Sequence, residues 1–592
     1  MMLKTLSFKI NRWRLKRNSQ RNFLIYCSVV VGLIGGLAAV ALKFLVHFME
    51  DVSRNISSHL YYHIAYVFLP AIGIFLTVAY QHIVNRDKIE KGIGKILINI
   101  KKNRSNIKFN NLYSHLITSS LTVGFGGSSG LEAPIVCTGA AIGSNLGKFF
   151  KLTPYEKTVL LAAGASAGIA AVFNSPIAGV LFSLEILIGE ITIPTFIPLL
   201  IASATGVVVS KALYSGQLFH LVTEGWVMGA LPFYIVLGLF SGWISIYIAK
   251  VGGNLEGGIF KKQNRYVRAI AGGVILGLII MVFPQLFGEG YHYLTAILNG
   301  NIHVLKEETL FANLLDNPWV MLLFIAVLVF MKIIAAGITI GSGGNGGTFA
   351  PTMFTGAFLG LLVAYGVNQT GLIHLNTSNF IAVGMAGALA GVLHAPLTAI
   401  FLIAEITGGY VLFIPLMIVS AISYIISRYY APHNMYWSHL IHENNIHPGQ
   451  DYSMLNSFTL DSIINRKFTP VDKSTTVADF YKILAKTDTN IFPVLKEDGQ
   501  LEGVVLIDDI RRRLFNREIA DSTIADIMVA PPMLIDYDQP ASSVMDTFDA
   551  IDVWQLPVVK HDIFIGFISK SALLSKYREV IIEQHRASDL FV

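Results

Sequence analysis

The chain has 592 residues, room for about four soluble domains at ~150 residues each, yet 53% are apolar, only 14% are charged and mean hydropathy is +0.58. Soluble proteins carry nearer ~25% charged residues, and here that density returns only in residues 441–592, which hold 38 of the 82 charged side chains and a net −8, leaving +14 for residues 1–440. With two cysteines, Cys27 and Cys137, both inside apolar runs, these features disfavour a secreted disulfide scaffold, a fibrous protein and a lone soluble enzyme; they describe a large membrane domain followed by a water-soluble one.

Residues 1–21 carry seven basic groups (Lys4, Lys9, Arg12, Arg14, Lys16, Arg17, Arg21) and no acid. The apolar run from Phe23 to Met49 that follows is too long for a signal peptide and lacks a small-residue cleavage site, so it reads as the first span. Residues 85–108 hold a second cluster of eight basic groups against Asp87 and Glu90. Basic residues beside spans mark the cytoplasmic face, which places both clusters there; a nucleic-acid role for the basic start is the weaker reading. Apolar stretches continue at about 64–84, 112–123, 135–150, 156–187, 192–213, 226–250, 266–287, 317–340, 349–368, 378–407 and 409–428. Some reach the ~20 residues that cross a bilayer core. Others are shorter and interrupted by Gly or Pro, as expected of helices that end inside the membrane around a protected cavity.

Two internal matches organise these stretches. Gly130–Gly143 (GLEAPIVCTGAAIG) repeats at Gly347–Gly360 (GTFAPTMFTGAFLG) with 7 identities in 14. Ala162–Ile186 repeats at Ala382–Ile406 with 7 in 25, aligning Pro176 with Pro396 and Glu185 with Glu405. Offsets of 217 and 220 in the same order imply two related halves, and broken segments at matching places point to a substrate site between them.

Each GxxAP motif follows a glycine cluster, Gly126–Gly130 or Gly341–Gly347, and opens an apolar run. Pro134 and Pro351 suit the first turn of a helix, where a missing N–H is harmless. Two helix N-termini with unengaged N–H groups and partial positive charge would result, a setting that holds anions weakly enough to release them. The competing reading is helix packing through small residues. Glu132 stands at one of these ends, whereas its repeat partner is Phe349. A carboxylate within a membrane is costly and functional by default. Being itself an anion, it would occupy the site until protonated, a gate answering to pH, voltage and external anion. Capping of the helix is the plainer alternative.

GSSGLEAP resembles the external-gate motif of the CLC chloride channel and transporter family, usually Gly-Arg-Glu-Gly-Pro. GGTFAP resembles its Gly-x-Phe-x-Pro motif, and Tyr436 in NMYWSHL its pore tyrosine. Order, spacing and the two halves agree over residues 22–440. The resemblance implies an all-α polytopic membrane domain, an inverted repeat of broken helices with about 17 helices in the membrane, a homodimer with one pore per subunit, and both termini cytoplasmic in the cell membrane. Carried over, the anion would meet the backbone of Gly130, Leu131, Glu132, Gly347, Thr348 and Phe349 and the hydroxyl of Tyr436. The family's Gly-Ser-Gly-x-Pro motif survives only as EKGIGK, with Lys91 at the serine position, where it would trap anion, pair with Glu132, or turn to the cytoplasm. The family's proton-coupled exchangers carry an inner glutamate where this chain has Ile186, with Glu185 next door as a substitute.

After a linker at 441–455, residues 456–517 and 522–581 read as two β-α-β-β-α units, their strands marked by alternating apolar runs with proline and glycine. They resemble a tandem CBS pair, which implies an α/β tail able to bind adenine nucleotide between its copies. Neither copy is complete: the first has Asp509 with Leu506 in place of the hydroxyl residue, the second Ser569 with Ala572 in place of the aspartate. Arg511–Arg513 read as a solvated helix face. The expectation is therefore a chloride or similar small-anion pathway among membrane lipid, gated by Glu132 and passive, with chloride–proton exchange as the runner-up. No metal, nucleic acid or required cofactor is expected, and a nucleotide-sensing regulator acting through the tail is the alternative of another class.

Overall fold

A computed structural model describes residues 20–59, 62–84, 89–189, 192–214, 225–257, 263–306, 309–444, 455, 458–487, 489–507, 510, 522–551 and 553–589. The chain divides into two compact units, residues 1–448 and 449–592.

Among the described residues the first unit is helical throughout. Its first half contains α1 (Gln20–His59), α2 (Tyr62–Ile83), α3 (Ile93–Lys102), α4 (Asn111–Gly124), α5 (Glu132–Phe149), α6 (Pro154–Phe173), α7 (Pro176–Phe182) and α8 (Ile193–Leu213). The second contains α9 (Leu231–Gly257), α10 (Arg265–Val282), α11 (Tyr291–Leu298), α12 (Pro318–Gly341), α13 (Phe349–Thr370), α14 (Thr377–Leu393), α15 (Pro396–Ile406), α16 (Phe413–Tyr430) and α17 (Met435–Asn444). Nine segments among the described residues are long and apolar enough to span a bilayer. Several others, including α7, α14 and α15, are too short to cross alone, matching the broken-helix expectation.

The apolar stretches at 156–187 and 378–407 are each two helices, broken at equivalent places. Helix α6 begins with a reciprocal cap between Thr153 and Glu156 and stops at Asn174, whose φ of 57° is left-handed. Helix α14 begins with Asn376 accepting from the Asn379 N–H and stops at His394, φ 55°. Asn and His are among the non-glycine residues that most often adopt that conformation, and Pro176 and Pro396 then restart the helix at N1. After Phe182 the first of these continues as a π-helical turn, Ser183–Ile188.

Small residues hold the layers together. A Cβ on Gly139 would lie 2.1 Å from the Gly164 carbonyl oxygen, and one on Gly356 would lie 2.4 Å from that of Gly384. Thus α5 crosses α6, and α13 crosses α14, at backbone contact. For these glycines the packing reading holds.

The second unit has a hairpin, β1 (Ile491–Leu495) with β2 (Leu501–Leu506), and a three-stranded sheet in the order β3 (Ile535–Asp536), β4 (Gln555–Lys560), β5 (Ile563–Ser569), with β3 parallel to β4 and β5 antiparallel to it. A helix (Ala541–Ala550) joins β3 to β4 and another (Lys570–Asp589) follows β5, the β-α-β-β-α order read from the sequence. The two copies exchange segments. Leu455 and Leu460 are buried with Ile535, Val558 and Ile568 of the second copy, while Ile524 and Ile527 are buried with Val471, Phe492 and Val505 of the first. Asn465 pairs with Phe567, and Val504 with Val529.

Candidate ion path between the two halves

The two GxxAP motifs meet. The Gly130 N–H donates to the Gly347 carbonyl, and the Gly347 N–H donates to that of Gly130, both at 2.9 Å. These two N–H groups, read from the sequence as anion donors, are engaged with each other. Leu131 is engaged as well, its N–H donating to Glu289 Oε1 at 2.9 Å. The starts of α5 and α13, at Glu132 and Phe349, come directly after this double bond.

Glu132 is 1% exposed. Its Oε1 accepts from the Tyr291 hydroxyl at 2.5 Å, and its Oε2 has no hydrogen-bond partner among the described residues. A Cβ on Gly130 would stand 2.0 Å from that Oε2 and 3.1 Å from the Ala350 nitrogen. The carboxylate therefore folds back over the junction, against the backbone of both motifs, where the sequence placed a competing anion. The Phe349 ring turns away into an apolar shell beside Phe173 and Phe182, with centroids 5.9 and 6.3 Å off.

Below the junction lies a cavity of about 180 Å³ lined by Ala133, Thr348 and Tyr436, by Lys91 and the N-terminus of α3, and by Glu256 of α9. Tyr436 and Thr348 both line this cavity. Lys91 lines it too, but its ammonium donates to the carbonyls of Gly343 (2.7 Å) and Gly344 (3.2 Å), pinning the second glycine cluster. Asn345 anchors the same loop from the other side: its amide reaches Thr118 Oγ1 at 2.6 Å, and its N–H donates to Thr122 Oγ1 at 3.0 Å.

Ile186 is 2% exposed within the apolar core. Glu185 is committed elsewhere. Its carboxylate accepts from the N–H groups of Leu397 (3.2 Å) and Thr398 (2.7 Å) and from the Thr398 hydroxyl (2.6 Å), at the start of α15. Its repeat partner Glu405 accepts from the N–H groups of Ile177 (3.1 Å) and Ala178 (3.0 Å), at the start of α7. Each half caps the other's broken helix with a negative charge on a positive helix end. Glu405→Ala, which leaves two buried N–H groups unpaired, is expected to destabilise the unit by roughly 1–3 kcal/mol. The check is thermal unfolding in detergent, with the pH dependence of anion flux unchanged.

The sequence reading missed the groups around Glu132 on the side away from the cavity. Besides Glu289 and Tyr291 these include Lys332, 0% exposed on α12, whose ammonium donates to the Gly288 (2.8 Å) and Leu286 (3.3 Å) carbonyls. An acid between two glycines in FGEGYHY and a lysine inside the apolar run of α12 were the available signals.

In the tail, Ser569 caps the following helix, its hydroxyl accepting from the Ala572 N–H at 3.1 Å. Asp509 and Arg511–Arg513 lie outside the described residues. A pocket of about 370 Å³ is lined by Ser462–Asn465, Ala572, Ser575, Lys576 and Glu579. Ala572 contributes no carboxylate for a ribose, and Lys576 is paired with Glu579 at 2.8 Å, so the residues present fit an adenine nucleotide poorly. Calorimetry on residues 449–592 is expected to give a Kd for ATP or AMP no tighter than ~0.1 mM, about −5.5 kcal/mol; micromolar binding would reject this.

Two helix starts from related halves, joined at a glycine pair, with a carboxylate over them and a cavity beside them, define a membrane protein that moves ions through broken helices. Residues 72–428 match the voltage gated chloride channel family, and residues 460–516 and 524–579 each match the CBS domain. The chain belongs to that chloride channel family, the CLC proteins, with two CBS domains after the membrane unit; its business is anion transport rather than catalysis. A ClcB-like protein of Ralstonia nicotianae, whose name places it among chloride channels, is 32% identical over 52% of this chain and 70% of its own. The H(+)/Cl(-) exchange transporter ClcA of Vibrio campbellii is 27% identical over 73% of this chain and 92% of its own. Among solved structures, a slow cyanobacterial Cl-/H+ antiporter superposes with a TM-score of 0.61 at 20% identity, covering 72% of this chain and all of the other. At that identity the likeness concerns the fold.

Proposed function

We propose that this chain is a homodimeric anion pathway that conducts chloride or a similar small anion passively, gated by Glu132, with both termini cytoplasmic in the cell membrane. The observation that carries this is the Glu132 carboxylate lying over the backbone of both helix starts. Ionised, it fills the place an anion would take; protonated, it loses its claim on the positive helix ends and swings out. The backbone N–H groups of Glu132, Thr348 and Phe349 and the Tyr436 hydroxyl are the groups left to hold the anion, since Gly130, Gly347 and Leu131 are engaged. Passive flow follows from Ile186, which carries no titratable atom, and from Glu185, whose carboxylate is bound to α15. The test is the reversal potential of reconstituted protein under separate chloride and pH gradients. Passive conduction follows the chloride gradient alone.

Exchange has one observation in its favour. Glu256 lines the cavity beside Tyr436, and its Oε1 is buried without a hydrogen-bond partner among the described residues. It is a carboxylate on the cavity side of the junction at a position other than the family's. A reversal potential that moves with the pH gradient, and ceases to in Glu256→Gln, would establish exchange in place of conduction.

A further inference from the structure

Glu132 and Glu289 are bound crosswise. Leu131, the residue before Glu132, donates its N–H to Glu289 Oε1 at 2.9 Å. Tyr291, two residues after Glu289, donates its hydroxyl to Glu132 Oε1 at 2.5 Å. Each carboxylate is thus held by a near neighbour of the other. Glu132 is buried and Glu289 is partly buried.

The loop that carries Glu289 is fixed. Gly288 and Gly290 have φ of 57° and 83°, a backbone that favours glycine, and the Lys332 ammonium grips the Gly288 carbonyl at 2.8 Å while standing 4.9 Å from the Phe354 ring centre. Around Glu289 the charged or titratable groups are Glu132 from α5, Tyr291 from α11, Lys332 from α12 and Glu50 from α1. Glu50 is partnered by His47 at 3.4 Å. Lys332 Nζ is committed to backbone carbonyls rather than to either carboxylate.

We propose that Glu132 and Glu289 form a carboxylate pair sharing one proton, and that Glu289 sets the pH at which Glu132 leaves the anion path. Two like charges bound crosswise through adjoining residues in the interior disfavour joint ionisation. One proton serves both: Glu132 carries it when the gate opens, and the remaining negative charge passes to Glu289, where the Leu131 N–H receives it. Glu289 is a positioning residue in this scheme, acting on anion flux only through Glu132. The proposal rests on the reading of Glu132 as the gate.

The experiment is chloride efflux from liposomes holding the full chain, measured across a pH series. Glu289→Gln keeps an oxygen for the Leu131 N–H and removes only the charge. Without that neighbouring charge Glu132 ionises more readily, so the midpoint of pH-activated flux is expected to move to lower pH by roughly one unit or more. Glu289→Asp, which restores the charge, is expected to return the midpoint toward wild type. In a Glu132→Gln background, adding Glu289→Gln is expected to change nothing. An unmoved midpoint in folded Glu289→Gln, with Glu132→Gln independent of pH, would overturn the pair and leave the gate standing. Full wild-type pH dependence persisting in Glu132→Gln would overturn both.

Discussion

Replacing Glu132 by Gln or Ala is expected to abolish the pH dependence of anion flux while leaving the flux intact or raising it several-fold. The carboxylate lies against the starts of both α5 and α13, so in its ionised form it competes with the transported anion for the same partial positive charge. Stated by sign, flux rises as pH falls, because protonation removes the competitor, and both substitutions mimic the protonated state at every pH. Gln keeps the shape and Ala opens the space. A folded Ala variant that conducts nothing, measured by chloride efflux from liposomes, would show that Glu132 caps α5 rather than gates it.

The second large effect concerns protons. With a chloride gradient as the only driving force, no uphill proton movement is expected. Coupled exchange needs a titratable group on each side of the anion, and a bare proton in a low-dielectric interior is costly. Ile186 is enclosed by apolar side chains, and Glu185 is held by three hydrogen bonds at the start of α15. Sustained uphill proton uptake in liposomes, abolished by Glu132→Gln and retained in Ile186→Ala, would replace conduction by exchange, and its loss in Glu256→Gln would assign the inner proton group.

Much of this arrangement is legible in the chain because repetition is a strong signal. Gly130 and Gly347 align at one offset and Glu185 and Glu405 at another; the glycines bond to each other, and each glutamate caps the helix that follows the break in the other half. The prolines that restart α7 and α15 are equally plain, since proline suits few places in a helix. What the sequence hides is which N–H groups are already engaged. A GxxAP motif announces a helix start, but the partners of Gly130, Gly347 and Leu131 come from residues as many as 217 positions away. Glu289 and Lys332 escaped for the same reason: each stands alone in the chain and gains a role only through distant residues, Leu131 for the one and the Leu286 and Gly288 carbonyls for the other. The tail's exchanged segments have no local signature either, because Leu460 and Ile524 look like ordinary apolar residues wherever they pack.

The double hydrogen bond between Gly130 and Gly347 has a kinetic consequence. It rivets the two motifs to each other, with Lys91 and Asn345 bracing the adjoining loop on two sides. A hinge at this point would have to break two buried amide bonds at each opening. A side chain turning about its own χ angles breaks one contact, to Tyr291. Rotamer changes belong to faster time scales than backbone rearrangements, so the elementary opening step should be brief and local. Closed wild type and Glu132→Gln should then superpose at the backbone and differ in little more than where one side chain points.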